Sequence, residues 1–207
     1  MSRYMDSVRR PPTTLTEQEQ LLLLRVTGAH VAGWRDHCLY SLALGAGLRE
    51  HEIVALDIGD LYDAAGHAKR RIVLRVFKGC KKTPAPPPQE VILPDAVRRK
   101  LDRLYELRRR AGEVLTPDTP VFVSRFRRRL STRQVRHGFR VWQTRAGFER
   151  IYHFHVIRHS AATNVYRRSR DIRLTQQFCR HGSIDTTVIY THTSAEDLLR
   201  VVQQIPS

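Results

Sequence analysis

The chain has 207 residues, of which 41% are apolar, enough for one well-packed globular domain and too apolar for a disordered chain. Its 36 Lys and Arg outnumber its 20 Asp and Glu, and the formal net charge of +16 favours a polyanionic partner such as nucleic acid. The chain has no run near the roughly 18 apolar residues of a membrane span, and no apolar signal sequence at its start. We therefore expect a cytoplasmic protein without a membrane partner.

The first half of the chain predicts helices followed by a β-hairpin. Thr16 and Glu19 form a capping-box pattern at the start of the first helix, beyond a flexible basic tail at residues 1–13. Residues 70–79 and 91–94 are strand-like and enclose a proline-rich turn, which is typical of a basic hairpin. Two more helices are predicted between these features, at 30–46 and 48–56.

The second half is almost entirely helical by pattern. Residues 95–111 carry an apolar face with a strongly basic back, as an amphipathic helix does. Residues 120–124 form a short strand or an extended link, and Ser131 or Thr132 caps a helix over 131–148. The remaining predicted helices lie at 153–168, 171–181, 183–191 and 194–205. The expected fold class is therefore α+β, mainly helical with a small antiparallel β-sheet.

Two segments could bind an oxyanion. Arg49 follows the glycine-flanked stretch "GAGL" at the start of a helix, where a guanidinium and helix N–H groups can face a phosphate, although a solvated surface arginine is the simpler interpretation. His155 and Arg158 in "HVIRH" share one helical face. A histidine beside an arginine suits an oxyanion that must be oriented while a proton moves, although two ordinary polar residues at a helix start remain the alternative.

The segment "CRHGSIDTTVIYTH" contains a candidate nucleophile. His181 precedes Gly182, which we expect to end a helix, and Tyr190 lies in a short apolar run with Val188 and Ile189. By itself the run favours a tyrosine packed in a core. A phenol attacks phosphorus only where cations lower its pKa or a base accepts its proton, and the arginines and histidines above are such groups.

A metal site is the competing interpretation of the same histidines. The possible ligands do not follow the HExxH spacing, and no carboxylate stands beside them in the sequence. We therefore expect a site without a metal or other cofactor. The possible ligands are His153, His155, His159, Cys179 and His181.

Taken together, these motifs resemble the tyrosine recombinases, also called the phage integrase family. The resemblance runs from about Thr14 to the C-terminus, in the family's order and spacing, and is confined to its catalytic domain. In size the chain is similar to single-domain fimbrial invertases. The matching segments are "ALGAGLREHE" with Arg49 and Glu52, "FKGCKK" with Lys78, "HVIRHSAAT" with His155, Arg158 and His159, and "CRHGSIDTTVIYTH" with His181 and Tyr190.

The chain also departs from the family pattern. Arg180 stands where the family usually has glycine before the histidine. The hairpin motif lacks its usual first glycine and carries Cys80, so that Lys81 is an alternative to Lys78 as the catalytic lysine. We expect the chain to lack the family's separate N-terminal DNA-binding domain.

The resemblance implies a site-specific recombinase that cleaves DNA through a 3′-phosphotyrosyl intermediate on Tyr190, without metal or ATP. It implies that Arg49, Arg158 and His181 stabilise the attacked phosphate, that His155 assists deprotonation of Tyr190, and that Lys78 protonates the leaving oxygen. Glu52 and His159 would orient these groups. The implied domain is residues 14–193, followed by a helical tail at 194–207 that packs on its own domain or is exchanged between protomers.

The expected partner is double-stranded DNA with specific recombination sites, bound by a homodimer to homotetramer. An accessory DNA-bending protein is a further candidate partner. The bound protein would lie at the nucleoid. Besides the basic helix, the residues expected to contact backbone phosphates are Lys81, Lys82, Arg125, Arg127, Arg128 and Arg133. The alternatives are a type IB topoisomerase-like enzyme and a DNA-binding regulator with a vestigial site.

Overall fold

The structure is a computed structural model that describes residues 12–77, 79–80 and 87–190. The chain divides into two compact units, one of residues 14–161 and the other of residues 1–13 and 162–207. We call them the N-terminal and C-terminal units and describe each by itself. Lys78, Lys81, Lys82, the tail at 194–207 and most of the tail at 1–13 lie outside the described residues.

The N-terminal unit begins with two helices, α1 (Glu17–Gly28) and α2 (Trp34–Ala46). The predicted capping box is confirmed, because the Thr16 side chain accepts a hydrogen bond from the Glu19 N–H and the Glu19 carboxylate accepts one from the Thr16 N–H. The second helix begins later than predicted. Residues 31–33 form a 3₁₀ turn, and Gly33 approaches the Thr27 carbonyl so closely that a Cβ would lie 2.4 Å from it.

Two short helices and a β-hairpin follow. The helices are α3 (Glu50–Ala55) and α4 (Ile58–Leu61), and the strands are β1 (Arg71–Leu74) and β2 (Gln89–Ile92). The strands pair antiparallel, with Arg71 opposite Ile92 and Leu74 opposite Gln89. Ile72 and Val91 face the core from one side of the hairpin, as a half-buried two-stranded sheet requires.

Helices α5 (Asp95–Arg110) and α6 (Thr132–Arg145) complete the packing of the N-terminal unit. Ser131 is the residue that caps α6, and the link before it contains isolated bridges rather than a regular strand. The centre of the core holds three aromatic rings, with Phe139 5.5 Å from Tyr40 and 5.6 Å from Phe154. Aliphatic side chains of α2, α3 and α5 surround them.

Helix α7 (His155–Ser169) begins in the N-terminal unit and ends in the C-terminal unit, which also contains α8 (Ile172–Cys179) and α9 (Asp185–Val188). The Asp171 side chain caps α8 by accepting from the Arg173 and Leu174 N–H groups. The small core of this unit consists of Ala162, Cys179 and Tyr190. The structure thus confirms the mainly helical α+β class with a small antiparallel sheet.

The end of α8 differs from the prediction. The helix stops at Cys179, and Arg180 caps it with φ 53° and ψ 47°, in the left-handed region. Gly182 therefore does not end this helix. The chain turns at the position where the family pattern has glycine, and the arginine adopts a backbone conformation that a glycine would adopt without strain.

In the part of the chain that the structure describes, no helix combines the length and the apolar character that crossing a membrane needs.

Candidate active site

Arg49 lies at the corner between α2 and α3. Helix α2 ends at Gly47, which has φ 59°, and Arg49 is the N-cap residue of α3 with an extended backbone. Glu52 lies one turn further along and accepts two hydrogen bonds from Arg49, one from its backbone N–H at 2.8 Å and one from its guanidinium at 2.7 Å. The arginine is therefore held at a helix N-terminus, where the helix dipole favours an anion.

Glu52 is almost completely buried, with 1% of its surface exposed. A carboxylate in such a position must be paired, because an isolated buried charge is strongly unfavourable. The pairing with Arg49 meets that requirement and restricts the guanidinium to one orientation. Glu52 thus contacts Arg49 directly, as an orienting residue would, and its orienting role in a reaction stays a prediction.

Arg158 reaches the same corner from α7. Its guanidinium donates to the carbonyl of Gly47, two residues before Arg49. Only 3% of Arg158 is exposed. Arg158 is therefore buried rather than solvated, and the Gly47 carbonyl is one of its hydrogen-bond partners.

His155 and His159 lie one turn apart on α7, with ring centroids 4.6 Å apart and nearly perpendicular planes. Burial lowers the pKa of His155, the charges of Arg158 and Arg49 lower it further, and the charge of Glu50 raises it. Burial, His155 and Arg158 together lower the pKa of His159 to about 4. Both rings are therefore neutral at pH 7, and a neutral His155 can accept a proton.

Glu50 contributes to the electrostatics of this corner, and the sequence did not indicate it. It lies next to Arg49 and forms an ion pair with Arg136 of α6, whose Nε lies 2.9 Å from a Glu50 carboxylate oxygen. It is also the acidic neighbour that limits the fall in the His155 pKa. Its separation of 86 residues from Arg136 explains why no local pattern could identify the pair.

In the C-terminal unit, His181 and Tyr190 lie on either side of Thr187. The His181 Nδ1 and the Thr187 hydroxyl lie 3.0 Å apart in a hydrogen bond, and the Tyr190 N–H donates to the Thr187 carbonyl at 3.0 Å. The rings of His181 and Tyr190 are nearly parallel, at 15°, with centroids 6.3 Å apart. Thr187 is completely buried, so it fixes both residues from the interior.

Tyr190 packs its ring against Ala162 and Cys179 and is 7% exposed. It follows α9 immediately beyond Ile189, which is partly buried beside it. Val188, from the same apolar run, is 48% exposed, so the run as a whole does not lie in the core. The core-packing interpretation of Tyr190 is thus correct for its ring, and the role of its hydroxyl stays a prediction.

The arginines predicted to contact DNA phosphates lie on the surface. Arg125, Arg127 and Arg128 are exposed in a tight turn before α6, and Arg133 is exposed in the first turn of α6. Their contact with DNA phosphates stays a prediction. The corresponding predictions for Lys81 and Lys82 lie outside the described residues, as do both candidates for the catalytic lysine.

The basic back of α5 has other partners than the sequence suggested. Arg108 is buried and binds Glu113 and the carbonyls of residues 120 and 121. Arg109 and Arg110 pair with Glu106, and Arg103 lies over the ring of Trp34 at 4.1 Å. These contacts make α5 a stabilising element, and its contact with DNA stays a prediction.

Asp57 forms a second ionic centre that the sequence did not indicate. It is 7% exposed and binds Arg75, at the end of β1, at 2.5 Å. It also accepts from Arg129, whose guanidinium donates to the carbonyls of Val54 and Leu56 as well. One carboxylate at the start of α4 thus ties the end of β1 to the turn before α6. The capping-box spacing of Asp57 and Asp60 was the available signal.

Among the described residues, no group of three or more His, Cys, Asp or Glu side chains is arranged to hold a metal ion.

Comparison with known proteins gives concordant matches. Residues 13–197 match the phage integrase family. The chain is 31% identical over 195 residues to tyrosine recombinase XerC of Serratia marcescens, covering 94% of this chain and 60% of that protein. It is 33% identical over 184 residues to XerC of Chlamydia trachomatis serovar L2, covering 88% and 55%. The chain therefore spans little more than half of the length of these relatives.

The structure resembles solved recombinase structures. XerA recombinase superposes with a TM-score of 0.74 at 28% identity, over 96% of this chain and 67% of that one. XerH site-specific recombinase bound to its difH substrate superposes with a TM-score of 0.72 at 21% identity, over 97% and 56%, and at that identity shows the fold alone. With 185 of its 207 residues matched by the family, the chain belongs to the phage integrase family.

Proposed function

We propose that the chain is a site-specific DNA recombinase that cleaves and rejoins double-stranded DNA through Tyr190. The observation that carries the proposal is the corner at Gly47–Glu52, where Arg158 donates to the Gly47 carbonyl and Glu52 holds Arg49 at a helix N-terminus. Two fixed guanidinium groups suit a phosphate that gains charge in a transition state. The net charge of +16 and the family membership support DNA as the phosphate's source.

The proposed first step transfers a DNA phosphate to the protein. The Tyr190 hydroxyl attacks the phosphorus, a phosphotyrosyl bond to the 3′ side forms, and the bond to the 5′ oxygen breaks. Arg49, Arg158 and His181 stabilise the charge on the non-bridging oxygens. Rejoining reverses the step with a 5′-hydroxyl of the same or another strand, and since the ester bond is conserved, no nucleotide is consumed.

Proton transfer accompanies the step. His155 accepts the proton of Tyr190, which is consistent with the lowered pKa that keeps His155 neutral at pH 7. Lys78, or Lys81 in its place, gives a proton to the departing 5′ oxygen. His159 is a neutral neighbour that orients the His155 ring, and neither acid–base step requires a metal or another cofactor.

The assembly that performs recombination is also part of the proposal. We propose that two to four copies act on DNA containing specific recombination sites, with the tail at 194–207 packing on its own protomer or exchanged between protomers. An accessory protein that bends the DNA is part of this proposed assembly. The reaction is expected in the cytoplasm, at the nucleoid.

The test is covalent trapping on a nicked suicide substrate. The wild-type chain is expected to form a protein–DNA adduct, whereas Tyr190→Phe is expected to bind the same DNA and form none. Phenylalanine keeps the ring that packs against Ala162 and Cys179, so the fold is retained. Tyr166→Phe, a change to a partly buried tyrosine of α7, is the matched control and should form the adduct.

An adduct that persists with Tyr190→Phe would exclude Tyr190 as the nucleophile. Loss of the adduct on addition of a chelator would replace the metal-free mechanism with a metal-dependent one. Wild-type protein that binds DNA without any adduct would instead indicate a regulator with a vestigial site. Relaxation of a plasmid without recombination between two sites would indicate a topoisomerase.

A further inference from the structure

The turn before α6 presents an aromatic ring to solvent among arginines. Phe126 is 69% exposed, and Arg125, Arg127 and Arg128 around it are exposed as well. The Arg125 guanidinium lies over one face of the Phe126 ring, 4.6 Å from its centroid. We call residues 124–129 the arginine turn. Most of this large apolar ring is therefore in contact with solvent.

The arginine turn is held rigidly. The Ser124 N–H donates to the Arg128 carbonyl at 2.8 Å, the Arg127 N–H donates to the Ser124 carbonyl at 2.9 Å, and the Ser124 hydroxyl accepts from the Phe126 N–H at 3.3 Å. Arg127 has φ 57°, a left-handed conformation that costs about 1–2 kcal/mol for a residue with a side chain. The turn is thus kept in one shape, with Phe126 near its tip.

The base of the turn is tied to the rest of the N-terminal unit. Arg129 binds Asp57, and Arg35 donates to the Val123 carbonyl at 2.9 Å. The Leu130 N–H donates to the Phe122 carbonyl at 2.9 Å, and Phe122 itself is completely buried. A fixed base means that Phe126 is presented to a partner without a large loss of conformational entropy on binding.

The charge around Phe126 selects the kind of partner. Between Asp118 and Glu149 the sequence contains eight arginines and no acidic residue. A second copy of the chain, with a net charge of +16, would be repelled from this surface. The partner must therefore combine dense negative charge with apolar faces, and duplex DNA offers phosphates beside sugars and base edges.

We propose that Phe126 is an apolar DNA-contacting residue that inserts its ring into a groove of duplex DNA while the arginines beside it bind phosphates. Proteins that bend or grip DNA use such apolar wedges beside basic side chains. The inference rests on the proposed function, since it supposes that DNA is the partner. The proposed contact of Phe126 with DNA is apolar, so its strength does not depend on counterion release.

The dependence of binding on salt separates this contact from an ionic one. The probe is a mixed-sequence duplex several helical turns long, titrated with the full chain between about 50 and 200 mM salt. Phe126→Ala is expected to weaken binding about ten-fold at every salt concentration and to leave the slope of log Kd against log salt unchanged. Arg128→Ala is expected to lower that slope by about 1, because one phosphate contact is lost.

Leu21→Ala is the matched control for exposed apolar surface. Leu21 lies on α1 and is 69% exposed, as Phe126 is. Its removal should leave DNA binding unchanged, and neither substitution should change the unfolding midpoint measurably, because both side chains are at the surface. If Phe126 contacts DNA, Phe126→Ala should therefore weaken DNA binding, whereas Leu21→Ala, which removes a similar exposed apolar area, should not.

Two results would overturn the inference while leaving the proposed function intact. The first is wild-type affinity for DNA in Phe126→Ala. The second is a Phe126→Ala variant that keeps its affinity for the duplex but loses affinity for vesicles of phosphatidylserine and phosphatidylcholine. That result would assign Phe126 to an anionic lipid surface. A wild-type chain that binds no duplex at all would overturn both proposals, and the adduct assay with Tyr190 reports on the proposed function separately.

Discussion

Replacing Arg180 by glycine is expected to stabilise the C-terminal unit. Arg180 caps α8 with φ 53° and ψ 47°, and its N–H donates to the carbonyls of Gln176 and Gln177. A residue with a Cβ pays about 1–2 kcal/mol for this left-handed conformation, whereas glycine adopts it without a steric penalty. The substitution keeps the backbone hydrogen bonds, because glycine has the same N–H.

The magnitude follows from two opposing terms. Relief of the left-handed strain contributes about 1–2 kcal/mol. The greater freedom of glycine in the unfolded chain takes back about 0.4–1 kcal/mol. A net gain of about 1 kcal/mol remains, which corresponds to a rise in Tm of about 2–4 °C for a chain of this size. The Arg180 side chain also lies 3.4 Å from the Phe178 carbonyl, and this contact is lost.

A comparison of Arg180→Gly with Arg180→Ala removes that complication, since both lose the side-chain contact. The glycine variant should exceed the alanine variant in free energy of unfolding by about 1 kcal/mol, measured by urea denaturation at constant m. At Gln177, inside α8, the order should reverse, because glycine is about 1 kcal/mol worse than alanine in a helix. If the alanine variant at Arg180 is as stable as the glycine variant, the left-handed assignment is wrong.

Three further predictions concern the charges of the N-terminal unit. Glu52→Gln should lower the free energy of unfolding by about 3 kcal/mol, since it breaks a buried ion pair. Glu50→Gln breaks a pair whose other member, Arg136, is exposed, and it should cost less than about 1 kcal/mol. Urea denaturation of both variants checks the contrast. The same Glu52→Gln change should slow adduct formation on a suicide substrate more than Glu50→Gln does, because Arg49 loses its orienting partner. Burial, and to a smaller extent the charge of Lys100, lowers the pKa of His37 to about 4. The free energy of unfolding should therefore fall by at most about 3 kcal/mol as the pH drops from about 6.5 to about 4. His37→Asn should flatten that dependence.

The sign of the pH effect follows from proton binding. The unfolded His37 titrates near 6.5, whereas the folded ring resists protonation until about pH 4. Between these values the unfolded state binds more protons, so acid favours unfolding. His159 has its pKa lowered to a similar value and contributes in the same window, so His37→Asn should flatten the dependence only in part. A free energy of unfolding that rises as the pH falls from about 6.5 to about 4 would contradict this reasoning.

Local patterns in the sequence predicted most of the helices, the hairpin and the helix start at Arg49, whereas Glu52 was indicated by the family resemblance and its orienting role stays a prediction. The capping boxes at Thr16 and Ser131 mark helix starts because they satisfy backbone N–H groups within one turn, so their information is local. Arg49 and Glu52 are likewise one turn apart, and their contact is a helix-start contact. These features could be predicted from a single sequence because the partners are neighbours along the chain.

The contacts that were missed join distant parts of the chain. Arg129 lies 72 residues from Asp57, and Arg158 lies 111 residues from the Gly47 carbonyl. Arg128 and Arg129 are both exposed, and nothing in the basic run at 124–129 identifies Arg129 as the arginine that binds the buried carboxylate of Asp57. In α5 too, the sequence overestimated how many cations face solvent, because tertiary contacts bury or pair some of its arginines.

The structure also changes how the candidate residues must be tested. For Tyr190 the alternative to chemistry was packing in a core, and for Arg158 it was an ordinary polar residue at a helix start. Both side chains are at least nine-tenths buried, and both contribute to the packing of their own unit. An alanine at either position would remove packing and chemistry together, so lost activity would have two explanations. Tyr190→Phe keeps the ring, and Arg158→Lys keeps the charge while losing the planar fork that binds phosphate oxygens in pairs. Retained stability with lost adduct formation in these two variants is therefore the result that assigns the residues to the reaction.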